Sequence, residues 1–260
     1  MANFYTSTRT VSLVNLIGAP RFGRYLAAAN GDVRAALDLY VWNLCLSACF
    51  YGPLAILEVT VRNALHRELS ALFGPSWHTD ASFQAAGRRI SKAVYPPSAG
   101  ARRPTVNSDI LSQPAAAHAK LAANLARKAG DPPRAGAKTV PTTDDVVAAL
   151  DFGYWTSLLN NDVEPVLYAG GLYKAFPNAP HAPGKAPKRS TIAGKLNDVR
   201  MFRNRIMHHE PIFNRFNIQN DMRSSVDVCR WAEPNAVDWM EHHADLTEVL
   251  RDRFGAQHRF

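Results

Sequence analysis

Apolar residues recur along most of this chain at steps of three and four, the spacing of one buried face of an α-helix. We find no run in which apolar and polar residues alternate and no Asn-Gly hairpin signal, so nothing predicts a β-strand. The fold is therefore expected to be all-α. The predicted helices cover residues 32–50, 53–73, 80–95, 114–129, 143–160, 163–176, 190–209, 219–232 and 235–254.

Capping residues and helix breakers mark several boundaries of these helices. Asp32 is a suitable N-cap, and Pro53 suits the first turn of the next helix. Gly74 and Pro75 would end that helix. The acidic residues within 142–145 follow two threonines, as at the start of a helix.

One apolar stretch reaches membrane-spanning length, since residues 39–57 carry no charge over 19 positions. Asn43 and Ser47 interrupt it, and Gly52 with Pro53 would break a helix inside a bilayer. We interpret the stretch as a pair of buried core helices and expect no membrane partner. Three cysteines without paired spacing and no signal-peptide pattern favour a cytoplasmic location.

The middle of the chain is rich in proline and in positive charge. Seven prolines lie within 96–141, which indicates an irregular insertion, at about 84–141, that carries a short helix. Residues 84–140 hold ten lysines and arginines against two aspartates, an excess equal to the +8 of the whole chain. The excess suits an anionic partner such as RNA, and a solvated loop is the alternative. The candidate RNA-binding residues are Arg88, Arg89, Lys92, Arg102, Arg103, Lys120, Arg127 and Lys128.

A second stretch rich in proline and lysine, 176–190, is predicted to be an exposed loop that leads into the helix 190–209. That helix ends in the polar segment RNRIMHHEPIF, residues 203–213, because Pro211 stops it near His209. On an ideal helix Arg203 and His208 point about 140° apart. They can face one substrate only if the last turn loosens.

Arginine, an amide and histidine are the groups that RNA cleavage without a metal requires. His208 can take a proton from a 2′-hydroxyl or deliver one to the leaving oxygen. Arg203 can stabilise charge on the phosphoryl oxygens, and Asn204 can orient either group. A helix end whose cations match its dipole is the alternative, and for this spacing alone it is the stronger one.

The helix 53–73 carries a second polar stripe, because Glu58, Arg62 and His66 are spaced by four. Arg62 is followed by Asn63, which repeats the Arg-Asn pair of the later helix. The helix is strongly apolar, so a buried stripe would need hydrogen-bonding partners. A solvent-exposed row of ion pairs is the alternative.

Two other kinds of site are disfavoured. The adjacent histidines at 208–209 and 242–243 point about 100° apart on a helix and lack the spacing of metal ligands. Asp151, Phe152 and Gly153 resemble a kinase triplet, but no glycine-rich loop or catalytic loop accompanies them. Phe152, Tyr154 and Trp155 are interpreted as core aromatic residues. We expect no metal and no cofactor.

The chain resembles the Abi-like proteins of bacterial abortive infection, within the HEPN superfamily. Residues 39–69 look like the first helices of that family, residues 151–159 (DFGYWTSLL) resemble its FGxW motif, and residues 203–213 resemble its R-x4-6-H signature. The order and rough spacing of these segments also match. The resemblance covers most of the chain outside 84–140.

The resemblance implies a single HEPN-type helical bundle over 1–260 that acts as a metal-independent endoribonuclease in phage defence. It also implies a homodimer in which two such motifs form one composite site. Arg203, Asn204 and His208 would then be catalytic. The supporting residues would be Glu58, Arg62, Asn63, His66 and His209. The alternative is a non-catalytic HEPN protein that binds a small RNA as a ribonucleoprotein.

Overall fold

The computed structural model describes residues 4–85, 110–130, 134 and 136–242. Within these ranges the fold is all-α, as the sequence predicts, and it contains no strand. Residues 81–85 are also helical. The longer helices are α1 (Ser7–Ile17), α2 (Ala19–Ala28), α3 (Val33–Phe73), α4 (Gln113–Ala129), α5 (Thr143–Ala149), α6 (Phe152–Ser157), α7 (Arg189–Met207), α8 (Ile218–Ala232) and α9 (Asn235–His242).

The contacts within the chain divide it into two compact units. The first unit comprises Met1–Ala55, Met201–Arg223 and Asp238–Phe260. The second unit comprises Ile56–Arg200 and Ser224–Val237. The boundaries fall inside helices such as α3 and α7, so each of these helices contributes residues to both units.

The predicted pair of helices at 32–50 and 53–73 is wrong, because α3 runs without a break from Val33 to Phe73 and contains Pro53. Proline lacks an N–H and costs about 3 kcal/mol inside a helix. Here a single apolar stripe continues on both sides of Pro53 with the helical period, and its burial offsets that cost. The stripe consists of Leu46, Phe50, Leu54, Leu57, Val61, Leu65 and Leu69, all almost completely buried.

The helix α3 is also long and apolar enough to cross a membrane by length and composition. A third of its most apolar 18-residue window is buried within the structure. The same composition is found in core helices of soluble proteins, so this property is weak grounds for a membrane location.

Two other predicted helices are wrong because local signals break them. The segment 143–160 forms α5 and α6, which are separated where Leu150 is extended and the Asp151 side chain accepts the Tyr154 N–H at 2.7 Å. The segment 163–176 forms a π turn, Glu164–Tyr168, and a 3₁₀ turn, Leu172–Ala175. Gly171 separates these turns with φ of 136°, which a side chain would strain.

Other predicted boundaries are confirmed within two residues. Thr142 and Asp145 form a reciprocal capping box at the start of α5. The helices α4, α7 and α8 match the predicted ranges. The helices α1 and α2 were not predicted at all, although the Thr6 side chain caps the first of them. Of the predicted 235–254, the part up to His242 is helical, and the rest lies outside the described residues.

The second half of the supposed irregular insertion belongs to the ordered second unit. The 17-residue helix α4 packs against α5 and against the 3₁₀ turn Trp77–Thr79. Ile110 and Leu111, just before α4, are buried. The first half of the insertion, 86–109, lies outside the described residues.

Aromatic side chains dominate the core of the second unit. The Trp77 ring contacts the rings of Trp155 and Phe83, with centroids 6.1 and 5.2 Å away. Phe152, Tyr154 and Trp155 are all buried, which confirms their interpretation as core residues. The segment 151–157 therefore anchors α6 in the core through its aromatic positions.

The core of the first unit contains one buried polar side chain with a defined role. Asn43, on α3, is 1% exposed. Its Oδ1 accepts the backbone N–H groups of Ile212 and Phe213 at 2.8 and 3.0 Å. Phe213 also packs against the Tyr25 ring, with centroids 5.0 Å apart. Asn43 thereby holds the chain that follows the end of α7.

We predict that Asn43→Leu lowers the free energy of unfolding by about 2–5 kcal/mol, because two buried N–H groups lose their acceptor. Urea unfolding followed by circular dichroism measures this loss. Asn63→Leu, at an exposed position of the same helix, is the matched control and should change stability by less than about 0.5 kcal/mol. Equal unfolding midpoints for Asn43→Leu and wild type would contradict the role of Asn43.

Candidate functional site

The polar segment ends α7 with a Schellman motif. The His209 N–H donates to the Ile206 carbonyl at 3.0 Å, and the Glu210 N–H donates to the Arg205 carbonyl at 2.8 Å. Pro211 follows and cannot continue the helix. The predicted end near His209 is therefore correct.

His209 occupies the left-handed position of this motif, with φ of 55°. Glycine or asparagine usually takes this position, because a side chain there crowds the backbone. The helix α2 ends in the same way, with Asn30 at φ of 52° and a Gly31 N–H that donates to Leu26. Asn30 and His209 are the two non-glycine residues with positive φ in the described part of the chain. The histidine therefore carries a conformational cost that the asparagine largely avoids.

Arg203, Asn204 and His208 all lie in the first unit. Arg203 and Asn204 are half-buried, and an Arg203 Nη1 donates to Asn204 Oδ1 at 3.3 Å. His208 is exposed. Its N–H donates to the Asn204 carbonyl at 2.9 Å, as in a regular helix, so the last turn up to His208 is not loosened. The backbone positions of Arg203 and His208 therefore stay about 140° apart around the helix, as on an ideal helix.

Neighbouring arginines fix the backbone around this segment. An Arg21 Nη2 lies 3.5 Å from the His208 carbonyl, at the limit of a hydrogen bond. An Arg205 Nη2 donates to the Pro211 carbonyl at 3.2 Å, and its Nε lies 3.6 Å from a Glu210 carboxylate oxygen. These contacts satisfy carbonyls at the helix end and place positive charge where the helix dipole is negative.

Sequence reasoning missed Arg215, which also supports the segment. Its guanidinium binds the Asp221 carboxylate in bidentate fashion at 2.5 and 2.6 Å. It also stacks over the Phe202 ring at 5.2 Å, and Phe202 packs edge-on against Phe50. The only sequence signal was an Arg–Asp spacing of six, which does not indicate an ion pair by itself.

The second polar stripe, on α3, lies in the second unit. Glu58, Arg62 and His66 are half-buried, and Asn63 is exposed. The Arg62 Nε is buried and has no hydrogen-bond partner in the structure. The stripe is therefore half-buried and does not lie on a fully solvent-exposed face. Its side chains are partly shielded from water, so a hydrogen bond that one of them lacks would lower the stability of the fold.

His66 has a specific structural partner. The Nε1–H of the buried Trp77 donates to His66 Nδ1 at 2.9 Å, so Nδ1 carries no proton and His66 is neutral in this arrangement. Burial lowers the pKa of His66, and Asp144 opposes the shift weakly. The pKa of the buried His78 is also lowered, first by burial and then by His118 and His66. These residues stabilise the fold in their neutral form.

Of the candidate RNA-binding residues, the structure describes those on α4. Lys120, Arg127 and Lys128 are exposed on this helix. An Arg127 Nη2 donates to Asn124 Oδ1 at 3.2 Å. The other candidates, Arg88, Arg89, Lys92, Arg102 and Arg103, lie outside the described residues.

In the described ranges, no three histidine, cysteine, aspartate or glutamate side chains are grouped so that they could hold a metal ion. Comparison with known proteins gives no match to a family model, to a curated protein or to a solved structure.

We predict that His209→Gly raises the free energy of unfolding by about 1 kcal/mol, because glycine adopts the left-handed conformation without strain. His209→Val should lower it, because a β-branched residue tolerates this conformation least. Urea unfolding measures both. Asn30→Gly is the matched control at the end of α2. Its free energy of unfolding should rise by less, since asparagine already tolerates this geometry. Equal stability of the His209→Gly and His209→Val proteins would show that the side chain at this position does not determine the helix end.

We predict that the protein loses stability as the pH falls from 7 to 5. Because the pKa values of His66 and His78 are lowered on folding, the unfolded chain binds protons at a higher pH than the folded one. Their contribution is complete above about pH 6.5 and is lost below it, with a slope of at most about 1.4 kcal/mol per pH unit for each group. Thermal unfolding across this pH range measures the slope.

His66→Asn is the diagnostic variant, because the amide oxygen can still accept the Trp77 N–H but does not titrate. It should reduce the slope between pH 7 and 5. Asp145, whose pKa Lys138 and Thr142 lower to about 2, affects stability only at more acid pH and does not interfere. An identical slope in wild type and His66→Asn would show that His66 does not contribute.

Proposed function

We propose that this chain is a HEPN-type endoribonuclease that cleaves RNA without a metal ion and acts in phage defence by abortive infection. The observation that carries the proposal is the end of α7. There an exposed histidine, a half-buried arginine and an asparagine bonded to that arginine lie within six residues. An unusual left-handed histidine closes the turn. Strained residues of this kind are concentrated at functional sites.

The chemistry assigns one role to each group. His208 transfers the proton, because an imidazole can both accept and donate one and this side chain is open to solvent. Arg203 stabilises negative charge on the phosphoryl oxygens, and Asn204 orients the guanidinium. The 2′-oxygen would lose its proton and attack the phosphorus, the bond to the 5′-oxygen would break, and the products would be a 2′,3′-cyclic phosphate and a protonated 5′-hydroxyl.

A composite site in a homodimer follows from the geometry of α7. Transfer from a 2′-hydroxyl needs a base and an acid on opposite sides of the phosphorus. One regular helix end presents one exposed histidine, and its arginine lies five residues earlier, about 140° away around an ideal helix. Two copies related by a two-fold axis would supply two histidines and two arginines. This arrangement is part of the proposal.

RNA is the proposed substrate because the chain carries a net charge of +8. Lys120, Arg127 and Lys128 on α4 are exposed and suit contacts with phosphates. The proposed location is the cytoplasm, with α3 in the core of the protein rather than in a membrane.

A non-catalytic protein that forms a ribonucleoprotein with a small RNA is the second candidate. The separation of Arg203 and His208 on a regular helix favours it, since one chain alone does not assemble the reactive groups. The two candidates differ in the state of the RNA, which is cleaved in one case and intact in the other.

We predict that the purified protein cleaves single-stranded RNA in excess EDTA and leaves 2′,3′-cyclic phosphate or 3′-phosphate ends. His208→Ala should reduce the cleavage rate at least about 100-fold, because it removes the proton-transfer group. RNA binding and the unfolding midpoint should remain, since His208 is exposed. Gel analysis of end-labelled RNA and filter binding measure the two properties.

His181→Ala, which changes an exposed histidine of the loop 176–188, is the matched control and should cleave like wild type. Normal cleavage by His208→Ala would contradict the proposed mechanism. So would activity that EDTA abolishes and Mg²⁺ restores. Intact RNA that copurifies with the wild-type protein, without any cleavage, would support the ribonucleoprotein instead.

A further inference from the structure

A polar cavity of about 360 Å³ lies within the second unit, and none of the residues proposed for catalysis lines it. One wall comes from α6, through Gly153 and Thr156, and from the turn after it, through Asn160. Another wall comes from α7, through Asn197 and Arg200. The cavity has the size of a small-molecule site.

The sequence of the segment 151–157 explains why no side chain blocks the cavity at position 153 of α6. Asp151 caps α6 by accepting the Tyr154 N–H, and the aromatic residues of the motif fill the core. A Cβ at position 153 would lie 3.1 Å from the capping oxygen Asp151 Oδ1. Glycine in a helix costs up to about 1 kcal/mol relative to alanine, yet here it leaves both the cap and the cavity unobstructed.

Existing hydrogen bonds determine what the wall of α6 offers to a ligand. The Thr156 hydroxyl donates to the Gly153 carbonyl at 3.0 Å, and the Ser157 hydroxyl donates to the Tyr154 carbonyl at 2.6 Å. With their protons engaged, both oxygens face a ligand as acceptors. The amide of Asn160 supplies both donors and an acceptor.

The turn that carries Asn160 is held in place by the start of α7. The Arg189 Nε donates to Glu164 at 2.7 Å and an Arg189 Nη1 donates to the Leu159 carbonyl at 2.6 Å. The remaining Nη2 donates to Asn161 Oδ1. The ligand-facing amide therefore sits on a fixed part of the second unit.

The wall of α7 adds a cation and a further amide. An Arg200 Nη2 donates to Asn197 Oδ1 at 2.8 Å, which orients the guanidinium and leaves the Asn197 amide as a donor. The other guanidinium N–H groups match a phosphate in fork geometry. Among the described lining residues, Arg200 and Asp151 balance in charge, so the cavity suits one phosphate group better than a triphosphate.

We propose that this cavity binds one nucleotide, with its phosphate on Arg200 and the edge of its base on the amides of Asn197 and Asn160. A base edge presents donors and acceptors side by side, which amide side chains match in pairs. A bare phosphate would not fill the volume, and an apolar ligand would leave the polar walls unpaired. The nucleotide belongs either to a bound RNA strand or to the free pool. The identification of the ligand as a nucleotide rests on the proposed RNA function, whereas the existence of the cavity is a feature of the structure.

Isothermal titration of the full chain with the four nucleoside 5′-monophosphates tests the proposal, with the matching nucleosides and inorganic phosphate as comparison ligands. At least one monophosphate should bind saturably and at least about 10-fold more tightly than its nucleoside. Arg200→Ala should remove this difference and leave nucleoside binding unchanged. Asn197→Ala should weaken the monophosphate and the nucleoside alike.

Arg67→Ala is the matched control, because it removes the same charge from an exposed position of the second unit outside the cavity. It should bind the monophosphate like wild type. Equal losses in Arg67→Ala and Arg200→Ala would overturn the proposal, as would the absence of saturable binding. If Arg200→Ala does not fold by circular dichroism, Arg200→Lys keeps the charge without the fork and should still weaken the monophosphate.

Competition distinguishes the two sources of the nucleotide. A ten-nucleotide single-stranded RNA that displaces the monophosphate supports a nucleotide of bound RNA, and failure to displace it supports a free nucleotide. His208→Ala should bind the monophosphate normally, because it lies outside the cavity. If monophosphate binding depends on Arg200 but the protein cleaves no RNA, the proposed nuclease function is contradicted and the nucleotide site is not. If the protein cleaves RNA but Arg200→Ala binds the monophosphate like wild type, the nucleotide site is contradicted and the nuclease function is not.

Discussion

The two hydrogen bonds that the Asn43 side chain accepts from Ile212 and Phe213 are the constraint on which the first unit depends. A buried amide in the apolar helix α3 would be costly without partners. Here it supplies the acceptor for two backbone N–H groups that have left the helix. The chain after Pro211 is thereby fixed against α3, and the end of α7 acquires a defined direction.

The candidate catalytic turn is rigid because of these supports. Its carbonyls are satisfied by the Schellman bonds and by neighbouring arginines, such as Arg205, which binds the Pro211 carbonyl. Phe202, one residue before Arg203, packs on Phe50 and lies under the Arg215 guanidinium. The candidate residues therefore sit on a helix end whose backbone has little freedom.

Polar residues that resemble one another in sequence take different roles in the two units. The Arg-Asn pair at 203–204 precedes an exposed histidine, whereas the pair at 62–63 precedes His66, which accepts a hydrogen bond from the buried Trp77. The first histidine is available to solvent and the second stabilises the core. Burial, and not residue type, makes this difference.

Several features could be predicted from the sequence because they depend on neighbours within one or two turns. The helical period, the capping box at Thr142, and the end of α7 before Pro211 are of this kind. The resemblance to a family at 203–213 and 151–159 also depends on sequence alone. It indicated the candidate residues but not their surroundings.

Tertiary packing decided the remaining features. Pro53 is typical of a helix start, yet α3 continues through it because one apolar stripe is buried on both sides. In the sequence Gly153 is one position of a motif, and only the structure shows that it borders a cavity with Arg200. Asn43 interrupts an apolar stretch and proves to be an acceptor for residues about 170 positions away. Contacts between residues so distant in sequence leave no local signal, because the free energy of burial depends on which surfaces the fold brings together.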